Sequence, residues 1–98
     1  MLIAGFDWDD GNWPKCAKHG VAQNEIEFAL TNGPAIFPSG AGEPSETRFS
    51  AIGRNAEGRF IFVIFTFRRF QKEIRLRPIS ARYMHAKEIA RYEQDRAP

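Results

Sequence analysis

The sequence has few of the residues that build disulfides and metal sites. It contains one cysteine, Cys16, and two histidines among its 98 residues. A lone cysteine cannot form an internal disulfide, and no group of cysteines and histidines has zinc-ligand spacing. Carboxylates are not clustered as a two-metal enzyme requires, because Asp7, Asp9 and Asp10 suit the start of a following helix. The sequence therefore predicts a protein without a metal or another cofactor.

Long apolar runs and internal repeats are also missing. The longest apolar run, "FIFVIFTF" at residues 60–67, is far shorter than the ~20 residues that a membrane span needs. The N-terminus has no basic region and reaches Asp7 almost at once, unlike a secretory signal. We expect a cytoplasmic protein with no membrane contact, folded as a single domain over residues 1–98.

What the sequence does contain is positive charge in its second half. Residues 1–47 carry two lysines against seven acids, and residues 48–98 carry twelve basic residues against five acids, so the halves stand near −5 and +7. Ten of those twelve basic residues are arginines, whose planar fork suits phosphate and carboxylate groups. An anionic partner is one interpretation, and arginines that only solubilise an exposed sheet face are the other.

The pattern of apolar and turn residues predicts an α+β fold. Two N-terminal helices are expected, the first after "FDWDD" and ending at "KHG", the second over about residues 23–31. A largely antiparallel sheet of three to four strands follows, with a turn at "NAEG" and an edge or bulge at Pro78. A C-terminal helix from about Met84 to Gln94 is expected to pack Ala86, Ile89 and Ala90 inward.

Several polar residues have both a structural and a functional interpretation. Lys18 and His19 suit the last turn of a helix, but histidine also exchanges protons near neutral pH. Glu46 and Arg48 are two apart on a strand, so they project from one face and either pair with each other or approach one ligand.

Arginines on the neighbouring strands form a third group. Arg68 ends the central strand, and Arg75, Arg77 and Arg82 line the next one. Like charges that face each other across a sheet destabilise it, so a binding role explains such a cluster better than folding does. On the last helix His85, Glu88 and Tyr92 share a face, which is either a solvated surface or part of a site.

Four sequence blocks together resemble one family. They are "FDWDD", "KHGV" at residues 18–21, "ETRFSAIGR" at 46–54 and "ISARYMHAKEIARYE" at 79–93, in the order found in the BrnT toxins of BrnT/BrnA toxin–antitoxin modules. The resemblance implies a RelE-like ribonuclease fold, RNA cleavage that blocks translation, and a BrnA-type antitoxin that itself binds operator DNA. It also implies two toxins with two antitoxins, so that the toxin meets DNA only through its partner.

The resemblance carries the family's polar signature onto matching positions, which are Lys18, His19, Glu46, Arg48, Arg82, Glu88 and Tyr92, with Arg68 at the end of the central strand. We therefore hypothesise a metal-independent endoribonuclease. Its expected catalytic residues are His19, Glu46, Arg48, Arg68 and Arg82. Its expected substrate-binding residues are Lys18, Arg75, Arg77 and Tyr92. The alternatives are a non-catalytic module that binds RNA or a partner with the same basic face, and a domain whose basic face meets an acidic protein.

Overall fold

In a computed structural model, which describes residues 3–39 and 47–96, the chain forms one five-stranded sheet with two α-helices. The strands are β1 (Ile3–Phe6), β2 (Ala35–Ser39), β3 (Arg48–Arg54), β4 (Phe60–Phe70) and β5 (Glu73–Tyr83). The helices are α1 (Gln23–Thr31), α2 (Ala86–Arg96) and a short 3₁₀ helix (Lys15–His19). The spatial order is β1-β5-β4-β3-β2, with β1 parallel to β5 and the other neighbouring pairs antiparallel.

This architecture corrects the expected one, although the α+β class holds. The sheet has five strands rather than three to four, and one α-helix rather than two precedes the long strands. The expected RelE-like set of elements is therefore wrong for this chain. The strand that sequence patterns did not predict is β1, which is short and lies at one sheet edge, whereas β2 forms where a short extended piece was expected, around residues 35–37.

The first predicted helix is replaced by a turn and a single short 3₁₀ helix. Asp9 Oδ1 accepts the backbone N–H of Gly11 at 2.7 Å, and Asn12 Oδ1 accepts that of Asp9 at 2.8 Å. These side-chain bonds compete with helical backbone bonds and favour a turn. The 3₁₀ helix then ends where expected, at Gly20, whose φ of 85° lies in the left-handed region.

The hydrophobic core lies on one side of the sheet. In each row across the central strands, residues directly opposite each other project to the same side. Ala51, Val63 and Ala81 form one such row, and all three are buried. The core is completed by Cys16 of the 3₁₀ helix and by the helical residues Ile26, Ala29 and Leu30. Helix α1 therefore forms where it was predicted and packs on the core through one apolar stripe.

Helix α1 packs very closely on β3 and is anchored to the sheet by polar bonds. A Cβ on Gly53 would lie 2.6 Å from the carbonyl oxygen of Ala29, so only glycine allows this approach. The hydroxyl of Tyr83 on β5 donates to the carboxylate of Glu25 at 2.8 Å. The Glu25 carboxylate also accepts the backbone N–H of Ala22, which caps the start of the helix.

The long strands agree with the sequence prediction, but α2 does not pack as expected. The "NAEG" segment forms the β3–β4 turn, and the β4–β5 register shifts beside Pro78, so the predicted bulge is confirmed. In α2, however, no residue is buried, and Ala86 and Ala90 are exposed. The prediction that Ala86, Ile89 and Ala90 pack inward is wrong, because the core is already filled from the other side of the sheet.

Candidate functional site

The sheet surface opposite the core carries most of the arginines that the sequence singles out. Rows of directly opposite residues on β3, β4 and β5 define this surface, which we call the arginine face. Its rows are Arg48–Thr66–Arg77, Ser50–Ile64–Ser80 and Ile52–Phe62–Arg82, and the pair Arg68–Arg75 extends it. None of these residues belongs to the buried hydrophobic core.

Arg48 begins β3 and is only partly satisfied. Its Nε atom is buried and has no hydrogen-bond partner among the residues that the structure describes. Directly opposite on β4, the Thr66 hydroxyl donates to the carbonyl oxygen of Thr47 at 2.6 Å. A buried donor without an acceptor costs roughly 1–3 kcal/mol, and more when it is charged. An acceptor for this donor therefore has to come from outside the described residues.

Arg68 and Arg75 face each other near the end of the sheet. They are register partners on β4 and β5, and like charges in that relation repel each other. Arg75 is held by Glu73 at 2.9 Å and lies over the ring of Phe70 at 4.8 Å. Arg68 lowers the pKa of Asp9 by its charge, after larger effects from Arg77 and the Gly11 backbone.

Arg77 is engaged by two carboxylates from the loop after β1. Its Nη1 donates to Asp7 Oδ2 at 2.9 Å and to Asp9 Oδ2 at 3.0 Å, and its Nη2 donates to Asp9 Oδ1 at 2.9 Å. The hydrogen bond from Arg77 is the main reason that the pKa of Asp9 falls below its usual value. Arg77 therefore joins two chain segments in the structure, and its predicted contact with substrate stays a prediction.

Arg82 forms a second, separate group with residues of α2. Its Nη1 and Nη2 donate to the two carboxylate oxygens of Glu88 at 2.7 and 2.8 Å. The backbone N–H of His85 donates to the same carboxylate at 2.9 Å. These bonds, that of Arg82 first, lower the pKa of Glu88 to about 2. The Arg82 guanidinium also lies over the Phe62 ring at 4.9 Å.

Tyr92 extends this group along α2. Its ring packs edge-on against Phe60 with the ring centroids 6.0 Å apart, and its hydroxyl accepts from Arg96 at 2.8 Å. Arg82, Glu88 and Tyr92 thus lie at one end of the arginine face, whereas Arg48, Arg68 and Arg75 lie towards the other.

The two groups are well separated. Along β4, the partner of Arg82 is Phe62 and the partner of Arg48 is Thr66, four residues or ~13 Å apart. Arg68 lies two residues further, ~20 Å from Phe62 along the strand. Arginines at such distances contact neighbouring phosphates of one strand more readily than a single phosphate.

The remaining predicted site residues are less closely connected. Lys18 and His19 are exposed at the end of the 3₁₀ helix, on the element whose Cys16 enters the core. Among the described residues, no hydrogen bond or ion pair links Lys18 or His19 to Arg48 or Arg82. Glu46 falls outside the described residues. The structure thus places Arg82 and Tyr92 in one group and the arginines Arg48, Arg68 and Arg75 in another. It leaves the predicted catalytic roles of His19 and Glu46 untested.

His85 is the residue that the sequence prediction left out of the site. Its spacing to Glu88 and Tyr92 gave it a shared helix face, but a solvated surface explained that face equally well. The additional signal is that Glu88 follows His85 by three residues at a helix start, which is the spacing of a capping box. That spacing brings the imidazole-bearing residue to the carboxylate that holds Arg82.

Metal and membrane features were also compared with the structure. Within residues 3–39 and 47–96, no three His, Cys, Asp or Glu side chains are grouped so that they would hold a metal ion. Neither α-helix in these ranges has the length and apolar character of a bilayer-spanning segment.

The arginine face and the start of α2 lie within a segment that matches a known family. The family model described as "Ribonuclease toxin, BrnT, of type II toxin-antitoxin system" matches residues 8–88. The chain belongs to the BrnT family. The resemblance seen in the four sequence blocks is therefore confirmed, and the toxin has an antitoxin as its expected partner, since a type II module pairs the two. No curated protein matches the BrnT chain.

Proposed function

We propose that this BrnT toxin is an endoribonuclease that cleaves RNA without a metal ion and so stops translation in the cytoplasm. The family supports a ribonuclease toxin. The observation that supports the finer proposal is the Arg82 group, in which the Glu88 carboxylate binds both the Arg82 guanidinium and the backbone N–H of His85.

Arg82 has donors left for a phosphate after binding Glu88. A guanidinium has five N–H donors, and Glu88 takes two of them, so three remain. The bidentate bond fixes the plane of the guanidinium, which reduces the entropy lost when a phosphate binds. We assign Arg82 to the scissile phosphate, where it stabilises the charge that grows on the non-bridging oxygens.

The reaction that fits this group is an internal transesterification of RNA. The 2′-oxygen attacks the adjacent phosphorus, a new O–P bond forms, and the bond from phosphorus to the 5′-oxygen breaks. One protein group takes the 2′-hydroxyl proton and another gives a proton to the leaving 5′-oxygen. The products are a 2′,3′-cyclic phosphate and a 5′-hydroxyl. Each proton transfer contributes typically ~10²- to 10⁴-fold to the rate.

Glu88 is poorly suited to either proton transfer. A carboxyl group with a pKa of about 2 stays ionised at neutral pH and is a weak base. Glu88 is therefore a positioning residue for Arg82. We assign the proton-transfer roles to His19 and Glu46, which are among the catalytic residues expected from the sequence, or to His85, whose backbone N–H is bound to Glu88.

Arg48 and Arg68 are assigned to phosphates further along the same RNA strand. Their rows lie ~13 and ~20 Å along β4 from the row of Arg82. The assignment of Arg48 is supported by its buried Nε, which has no hydrogen-bond partner within the part of the chain that the structure describes. Lys18, Arg75, Arg77 and Tyr92 remain proposed contacts to the substrate.

Purified toxin incubated with RNA in EDTA tests the proposal. We expect cleavage to continue on chelation, and cleaved ends to carry 2′,3′-cyclic phosphate. Arg82→Lys keeps the charge but loses the fork, so its rate should fall by about 10²-fold. Arg91→Lys on the exposed side of α2 is the matched control and should cleave normally.

The same experiment separates the histidines and the competing function. His19→Ala and His85→Ala should identify the proton-transfer group by a loss of rate and a change in the pH profile. Loss of activity in EDTA would refute the metal-free mechanism. RNA binding that Arg82→Ala weakens, with no cleavage by any variant, would instead support a non-catalytic binding module.

The partner is proposed to be a BrnA-type antitoxin, in a complex of two toxins with two antitoxins. The toxin would then reach DNA only through this antitoxin. Light scattering on the co-expressed complex gives its mass directly. A 1:1 mass would contradict the stoichiometry, and growth arrest that co-expression does not relieve would contradict the partner.

A further inference from the structure

The end of the β4–β5 hairpin combines exposed aromatic side chains with a cluster of positively charged residues. We call residues 67–75 the hairpin tip. It contains four cations, Arg68, Arg69, Lys72 and Arg75, against one acid, Glu73. Residues 67–73 are all exposed, and Phe67 and Phe70 keep 41% and 40% of their surface in water. The connection itself is tight, with Gln71 at a φ of 54°.

Folding alone does not account for this composition. Arg68 and Arg75 are direct register partners, and facing like charges destabilise a hairpin. Phe67 is partly sheltered, because its ring contacts those of Phe49 and Phe65 at 5.4 and 5.7 Å. Phe70 has no ring neighbour of this kind among the described residues, and the Arg75 guanidinium lies over its ring, 4.8 Å from the ring centroid.

Phe70 lies on the same side of the sheet as the arginine face. Strand residues alternate between sides, and Phe62, Ile64, Thr66, Arg68 and Phe70 share one side of β4. The distance along the strand from Phe62, beside Arg82, to Phe70 is ~26 Å. A strand of RNA that follows β4 from Arg82 past Arg48 and Arg68 therefore arrives at the hairpin tip.

We propose that the hairpin tip is a second binding site for single-stranded RNA, in which Phe70 stacks on an unpaired base and Lys72 binds a phosphate. Proteins that hold single strands combine aromatic platforms with a positive groove, and the tip has both, with a net charge of +3. The proposal rests on the proposed function for its ligand. It extends that function, because the toxin would prefer unpaired RNA that reaches beyond the two nucleotides flanking the cleaved bond.

Binding to RNA that cannot be cleaved tests the tip. Fluorescence anisotropy would use fully 2′-O-methylated RNA of about 4 and about 16 nucleotides, which lacks the attacking hydroxyl. Phe70→Ala should weaken binding of the longer RNA roughly 5- to 100-fold, the range of one lost base stack, and leave the shorter RNA unchanged. Lys72→Glu should weaken the longer RNA as well.

Phe28→Ala is the matched control, since Phe28 on α1 is equally exposed, at 40%. It should bind both RNAs as the wild type does, and thermal melting should show that all variants fold. Unchanged binding of the longer RNA by Phe70→Ala and Lys72→Glu would overturn the tip proposal. The same holds if these variants lose binding to an acidic antitoxin while they still bind RNA normally.

Cleavable RNA in parallel assays keeps the two proposals separate. If the wild type binds and cleaves RNA and the tip variants behave identically, only the proposal about the hairpin tip is refuted. If the wild type binds RNA through the hairpin tip but cleaves none, the ribonuclease mechanism is refuted and the proposal about the tip is supported.

Discussion

At the scale of single residues, arginines of the same sheet differ in burial and in how much their ion pairs contribute to stability. Arg77 is buried with Asp7, and the two side chains keep 11% of their surface each. Arg75 and Glu73 keep 39% and 51%. Burial decides how much each pair matters to stability, because an exposed pair is screened by water while a buried carboxylate left alone is not.

Replacing Arg77 should therefore cost far more than replacing Arg75. Arg77→Met leaves the buried Asp7 without its partner, and we expect a loss of about 3 kcal/mol in the free energy of unfolding. Arg75→Met, the matched control, should lose less than about 1 kcal/mol. Urea unfolding at pH 7 measures both, and equal losses would contradict a structural role for Arg77.

Glu88 makes the stability of the toxin depend on pH in a defined window. Its pKa is about 2 in the folded protein against 4.5 for an ordinary glutamate. A lowered pKa means that the Arg82–Glu88 pair stabilises the fold above about pH 4.5 and that this contribution disappears as the pH falls towards 2. The pair is about one-third exposed, so its contribution stays below about 1 kcal/mol.

Glu88→Gln isolates this effect, because glutamine still accepts the backbone N–H of His85 but carries no charge. Thermal melts from pH 7 to pH 2 should show the wild type more stable at pH 7 and the two proteins equal near pH 2. A constant difference across the range would show that charge is not the cause.

At the scale of elements, regular patterns were predictable and short or non-local ones were not. The turn at "NAEG", the central position of β4 and the extent of α1 depend on local signals, and these predictions hold. β1 has four residues and pairs with β5, about 70 positions away, so no local period reveals it. Asp7 and Asp9 looked like helix caps because their partner, Arg77, is equally remote.

The candidate site follows the same division. The pairing of Arg68 with Arg75 could be predicted from the sequence, because the length of a hairpin turn determines which residues of its two strands face each other. The bond between Arg82 and Glu88 depends on how α2 leaves the sheet, which alternation does not encode. His85 joined the site only through that geometry.

The contact between α1 and β3 gives an element-scale prediction. A methyl group on Gly53 would strike the Ala29 carbonyl, which is backbone and cannot swing away. Gly53→Ala should therefore lower the free energy of unfolding by about 1–3 kcal/mol through overpacking. Ser50→Ala on the opposite side of β3 is the control and should change it by less than about 0.5 kcal/mol. An unchanged Gly53→Ala protein would mean that α1 lies further from the sheet.

At the scale of the whole molecule, charge is segregated along the chain and gathered on one surface. The half of the sequence from residue 48 holds ten arginines, and the arginine face and hairpin tip contain six of them, of which five remain when Arg77 is set aside because Asp7 and Asp9 both bind it. These five arginines are Arg48, Arg68, Arg69, Arg75 and Arg82, a set that leaves out the ion-paired Arg77. Such a surface should bind RNA through several phosphates at once, and each phosphate contact releases counterions.

Salt dependence counts those contacts. For single-stranded RNA, the slope of log K against log salt is about −0.7 for each phosphate neutralised, so five contacts give a slope near −3.5. Arg82→Ala should reduce the steepness by about 0.7, whereas Arg91→Ala, on the exposed side of α2, should leave it unchanged. Affinity for non-cleavable RNA measured over a range of KCl concentrations gives both slopes. If Arg82→Ala weakened binding at every salt concentration without changing the slope, Arg82 would act on the fold of the site, and its assignment to the scissile phosphate would be wrong.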